Sequence, residues 1–165
     1  METLSPEPQP VKYAGFWLRF VAYLIDYFIL QFAGFLLALP FIGAIVFSAI
    51  SIATAGNFNE QTLLGIGGII GAAVTLGLLT LATGWLYYAL MESSKNQATL
   101  GKMALGLRVT DLEGNPVGFG RATGRYFGKI ISRMILYIGF IMAGITEKKQ
   151  ALHDIMAGCL VIRKN

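Results

Sequence analysis

Two long apolar runs and one shorter run divide the chain. From Ala14 to Leu39 only two charges interrupt the pattern, Arg19 near the start and Asp26 near the middle. A helix needs about 20 residues to cross ~30 Å of hydrocarbon, so this run predicts a first span, with Tyr13 and Trp17 at its entry. Pro40 predicts a kink or an end, because proline lacks the N–H that continues the helix. The next stretch, FIGAIVFSAISIATAG, is apolar but short for a second crossing, so a kinked continuation or an interfacial piece is expected, then a loop around Asn57 to Gln61. A second span runs from Thr62 to about Leu90 and closes on Trp85, Tyr87 and Tyr88, an interfacial aromatic belt. The third run, Ile130 to Ile145 (spanning about 130–146 at its widest), is broken by Arg133, Gly139 and Gly144. At ~1.5 Å per residue it reaches about 24 Å, short of a full crossing.

The segments between these runs carry shorter signals. Ala98 to Leu105 predicts a short interfacial helix, and Leu107 to Phe119 a β-hairpin around Glu113-Gly114-Asn115-Pro116. Gln150 to Met156 predicts another short helix, and Gly158 to Ile162 a strand able to join the hairpin. Small residues recur every fourth position in the second span: Gly67, Gly71 and Thr75, and beside them Gly68 and Ala72. Such rows let helix backbones approach closely in lipid; the plainer reading is lipid-facing glycine without a role. In Gly120 to Arg133 the pairs Gly120-Arg121, Gly124-Arg125, Gly128-Lys129 and Ser132-Arg133 repeat every four residues, a groove of small residues beside a basic ridge.

Composition narrows the class. The 165 residues are 55% hydrophobic and only 13% charged, where soluble domains run near 25%. This is an integral membrane protein, with residues 1–12 as a disordered tail and 13–165 as one membrane domain. The N-terminus, METLSPEPQP, lacks a basic n-region, and the run after it far exceeds a signal-peptide core, so an uncleaved anchor is expected. The net charge of +4 matters by its placement. No Lys or Arg lies between the first two spans, whereas Lys95, Lys102, Arg108, Arg121, Arg125 and Lys129 follow the second. The positive-inside rule then places the N-terminus in the cytoplasm of a multi-pass protein. Lys148, Lys149, Arg163 and Lys164 favour a cytoplasmic C-terminus, so the third run is read as re-entrant or half-depth, turning near Gly139; the alternative is a true third span with an external tail. The fold class is therefore all-α: two full transmembrane helices, a third half-depth or re-entrant helix, interfacial helices and a small cytoplasmic β-hairpin.

LRFVAYLID in the first span, QATLGKMALGLRV after the second and KKQALHDIMAGCLVI near the end resemble, in that order, the RDD family of small bacterial membrane proteins, named for one arginine and two aspartates. The resemblance covers about Phe16 to Ile162. It implies that Arg19 and Asp26 are two of the named residues and that Asp154 is the third. Family members often carry threonine where this chain has Cys159, so no chemistry is attached to that thiol. Some members are associated with cation/proton antiport.

The charges supply the candidate chemistry. Arg19 and Asp26 share a helix face but lie about 10.5 Å apart along the axis, so each needs its own partner. Arg19 is expected to pair with Asp154, tying the tail helix to the first span. Asp26 is near the bilayer centre, where a carboxylate is a default candidate for proton or cation handling; Arg133 and Lys129 are its expected partners. The candidate ion or proton site is thus Asp26, Arg19, Asp154 and His153, with His153 either a shuttle or a hydrogen-bonded structural residue. Lys102, Arg121, Arg125 and Lys129 are candidate anionic-lipid contacts. Nucleic acid is a poor reading of basic residues in so apolar a chain. One histidine and one cysteine do not make a metal site, and no phosphate loop, nucleophile elbow or HExxH stands in the sequence, so neither a cofactor nor an enzyme is expected. Three functions follow: a small cation/proton transporter acting as a homo-oligomer, an accessory or assembly subunit of a larger membrane complex, or an anionic-lipid binder.

Overall fold

The computed structural model describes residues 11–135 and 138–164. The expected tail, residues 1–12, lies mostly outside them. The first run forms α1, Phe16–Thr54, and the second α2, Glu60–Ser93; both are long and apolar enough to cross a membrane. Pro40 does not end α1, which runs through it over a total of 39 residues. Then follow α3 (Leu100–Ala104), β1 (Leu107–Asp111), α4 (Phe119–Met134), α5 (Ile138–Ile145), α6 (Leu152–Met156) and β2 (Cys159–Arg163).

The chain forms two compact units. One comprises the described residues of Met1–Ile25 and Tyr88–Asn165. Its centre is a two-stranded antiparallel sheet with Val109 opposite Val161. The other edge of β2 is closed by the chain entering α1: Ala14 N–H donates to the Val161 carbonyl at 2.8 Å, and Arg163 N–H to the Lys12 carbonyl at 2.9 Å. Ala14, Ala22, Leu107, Val109, Val117, Cys159 and Val161 form the buried apolar cluster around it. The expected hairpin is corrected in its second arm. The turn is present, with Gly114 at φ 88°, but the returning chain makes only the Thr110–Pro116 bridge before α4 begins, and β2 supplies the pairing strand. Pro116 has no N–H to give a ladder, whereas CLVIR is a full five-residue strand.

Helix α4 is built inside out. Ala122, Arg125, Gly128 and Ser132 face inward, while Phe127, Ile130, Ile131 and Met134 are exposed. Helices α4 and α5 meet at 104°, so the third apolar run is not one straight helix, and Gly139, the expected turning point, lies inside α5. Of the glycine row on α4, only Gly128 is pressed: a Cβ there would lie 3.1 Å from His153 Cβ on α6, whereas Gly120 and Gly124 face open space. Gly128→Val should push α6 away and cost about 1–3 kcal/mol, while Gly124→Ala should hold or raise stability by up to ~1 kcal/mol. Thermal unfolding of the two variants in detergent checks the contrast.

The other unit is Asp26–Tyr87, the long arms of α1 and α2 with the turn between them. Close packing holds at Gly68, where a Cβ would meet Ser48 Oγ at 2.6 Å, and at Gly65 against Ile52. Gly67 and Gly71 meet nothing within 4 Å, so the row they head faces outward from this helix pair.

Candidate functional site

Two polar centres stand out, one in each unit. The first is Asp26, ten residues into α1 and 1% exposed. Its Oδ1 accepts a hydrogen bond of 2.6 Å from the Tyr87 hydroxyl on α2. Arg133 and Lys129 are the partners expected from the sequence. Lys129 is engaged elsewhere, and Arg133, about 80° further round α4 than Arg125 by the helical period, is exposed. Tyr87, read from the sequence as an interfacial residue, is the group that reaches the carboxylate. It could have been suspected as a hydroxyl at the same end of the second span as Asp26 occupies in the first.

The second centre is a buried charge network. Arg125 spans two carboxylates: Nε donates to Asp154 Oδ1 at 2.6 Å and Nη1 to Glu92 Oε2 at 2.7 Å. Asp154 also binds Arg19 and caps its own helix by accepting the Ala151 N–H at 3.1 Å. Glu92 Oε1 accepts from Lys102 at 2.5 Å and from Lys129 at 3.4 Å. Lys129 Nζ sits 3.9 Å over the Tyr88 ring as well, a cation–π contact. The start of α1, the end of α2, and α3, α4 and α6 are thereby joined through ion pairs. Glu92, at the end of α2 and 1% exposed, was missed by sequence reasoning. Its signal is a carboxylate one turn past the aromatic belt, followed by a run of cations.

The structure thus brings Arg19 and Asp154 together, as their residue types suggest. It corrects the lipid-facing ridge: Lys102 and Arg125 are buried and Lys129 nearly so, all three turned onto carboxylates, and only Arg121 remains exposed, 3.6 Å from Asp111. Burial raises a carboxyl, but Arg125 and then Arg19 outweigh it and hold Asp154 well below the usual carboxylate range. Burial pulls the Lys102 ammonium down to about 7; Glu92 opposes this, while Arg125 and Lys129 add to it. Arg19 keeps Nη2 buried with no hydrogen-bond partner among the described residues.

His153 is buried between Phe140, with ring centroids 5.0 Å apart, and Asp154, with Nδ1 3.3 Å from Ser132 Oγ. Burial, against the pull of Asp154 and with Arg125, Lys129 and Arg19 nearby, lowers the ring to about 3. Its place against Ser132 and Phe140 fits the hydrogen-bonded structural alternative. The ring also shapes stability. An unfolded chain protonates this histidine near 6.5; the native chain does not until about 3. Stability should therefore fall as pH drops below ~6.5, by up to about 1.4 kcal/mol per pH unit. Asp154 contributes in a lower window, because its depressed carboxyl keeps its full contribution above its unfolded pKa of ~3.9. His153→Gln should flatten the unfolding midpoint between about pH 4.5 and 6.5, read by thermal melts across that range.

No group of three or more His, Cys, Asp or Glu side chains placed to hold a metal ion is present among the described residues. Comparison with known proteins supplies the remaining context. A family model, the RDD family, matches residues 13–158. The chain is 41% identical over 153 residues to a Bacillus subtilis protein described as "Uncharacterized protein YxaI", covering 93% of this chain and 99% of the relative. It is 31% identical over 159 residues to "Uncharacterized membrane protein YteJ" of the same organism, covering 92% and 82%. No solved structure matches.

Proposed function

Because the chain belongs to the RDD family and carries two apolar helices of membrane-crossing length, we propose that it is a small cation/proton exchanger of a bacterial inner membrane, with Asp26 as the exchange site. The observation that carries this reading is a carboxyl 1% exposed inside a membrane-length helix that accepts a tyrosine hydroxyl at 2.6 Å. An ionised carboxylate is costly in hydrocarbon and is neutralised there by a proton or by a monovalent cation. One carboxylate that takes either, but not both, couples their movement in opposite directions. Tyr87 holds Oδ1 and so fixes the carboxyl that takes the exchanging ion. No covalent step is involved, so the protein is read as a carrier and not an enzyme, with no cofactor.

The inside-out α4 and its 104° bend into α5 support a re-entrant segment, with Phe127, Ile131 and Met134 toward lipid and the charges turned inward. The basic residues after α2 support a cytoplasmic N-terminus. In lightly buffered detergent, adding Na⁺, Li⁺ or K⁺ should release protons from wild type and none from Asp26→Asn; equal release from both would remove Asp26 from the exchange. A second reading, an accessory subunit of a larger membrane complex, is favoured by the outward-facing Gly67 and Gly71. Stable copurification with other subunits would support it. Anionic lipid remains a reading for Arg121.

A further inference from the structure

Within the helix pair, α1 and α2 border an open groove of about 320 Å³, lined by Gln31, Gly34, Phe35, Ala38, Leu76 and Thr80. Gln31 lies 15 residues into α1, about 22 Å along its axis, at membrane depth in a helix of this length. Its side chain is exposed and, among the described residues, makes one hydrogen bond, Nε2 to the Tyr27 hydroxyl at 3.1 Å. An amide has two N–H donors and a carbonyl that accepts two bonds, so most of this capacity is open in the groove. Acyl chains cannot meet it, and a polar side chain turned to hydrocarbon is costly. Below the amide's far side the groove floor is small: Gly34 and Ala38 are four residues apart, and nothing lies within 4 Å of a Cβ built on Gly34.

We propose that this groove is the docking surface for a second copy of this chain, paired through Gln31. The membrane itself selects that occupant. Copies inserted the same way relate by a two-fold axis along the bilayer normal, so each residue near the axis meets its own counterpart at the same depth. An amide is self-complementary, because one copy's carbonyl accepts the other's N–H. Gly34 and Ala38 allow the backbones to close, and Phe35, 59% exposed, fills the partner's groove one turn further on. The inference does not depend on any ion being moved.

In liposomes, wild-type copies carrying two dyes should show energy transfer that is lost on dilution with lipid. Gln31→Leu should shift the half-loss point about tenfold toward dissociation, and Gln31→Asn should largely retain it. Leucine at an exposed membrane position does not endanger the fold. With Cys159→Ala as background, Phe35→Cys should form an intermolecular disulfide on mild oxidation in native membranes. Leu64→Cys, exposed on α2 and about 24 Å along the axis from Thr80, should not. Dilution behaviour untouched by Gln31→Leu, no crosslink at position 35, or equal crosslinking at 64 would each overturn the proposal.

Discussion

Replacing Arg125 with leucine is expected to leave no stably folded protein to purify. Its guanidinium is 2% exposed and lies between Asp154 at 2.6 Å and Glu92 at 2.7 Å. Removing one partner of a buried pair typically costs about 3–5 kcal/mol, because the other charge stays buried without compensation. Here one substitution strips a partner from two carboxylates at once. Whole domains are stable by only about 5–15 kcal/mol. Arg125→Lys keeps the charge but not the fork: an ammonium is a point charge, and it cannot hold both carboxylates in the guanidinium's plane. That variant should fold with a clearly lowered unfolding midpoint. Arg121→Leu, one turn earlier and 53% exposed, should leave the midpoint nearly unchanged. Expression and thermal melts of the three variants order the effects, and a well-folded Arg125→Leu would show that the network is not what joins these helices.

The parts of the molecule legible in the sequence were those set by local pattern. Both long helices followed from apolar length, and the strand at 158–162 from a five-residue β-rich run after Gly158. The Arg19–Asp154 pair was legible because the family resemblance singled out both residues and Arg19 stands near the start of the first run, within reach of the C-terminal segment. What could not be read was direction around a helix. The basic ridge of α4 has the same spacing whether it faces headgroups or the interior; the three-dimensional positions of Glu92 and Asp154 turn Arg125 and Lys129 inward. Glu92 was passed over because it closes an apolar span and looks like an ordinary hydrophilic end. Tyr87 was read by composition as interfacial, since nothing in one dimension says that its hydroxyl reaches a residue 61 positions away.

Asp26→Asn is expected to abolish exchange while leaving the fold intact. Asparagine keeps the size of the side chain and can still accept the Tyr87 hydroxyl, but it carries no charge for a proton or cation to neutralise. The variant should therefore purify and melt like wild type, and its cation-dependent proton flux should fall to the level of empty liposomes. Tyr87→Phe should be milder. It removes one hydrogen bond to a charged group, worth about 1.5–3 kcal/mol, which tilts the competition toward the proton. Half-maximal flux should then require about tenfold or more cation. Because Tyr87→Phe alters the site without removing its charge, a graded effect separates a working carboxylate from one that only packs.

The most direct measurement of exchange at Asp26 uses purified wild type and Asp26→Asn in liposomes loaded with a pH-sensitive dye, after matching melts confirm that both are folded. Gradients of Na⁺, Li⁺ or K⁺ are imposed in turn, and the internal pH is followed. Proton movement opposite to at least one cation in wild type, and none in Asp26→Asn, is the expected result. Folded wild type that moves no protons under any of the three gradients would contradict transport and leave the accessory-subunit reading in its place.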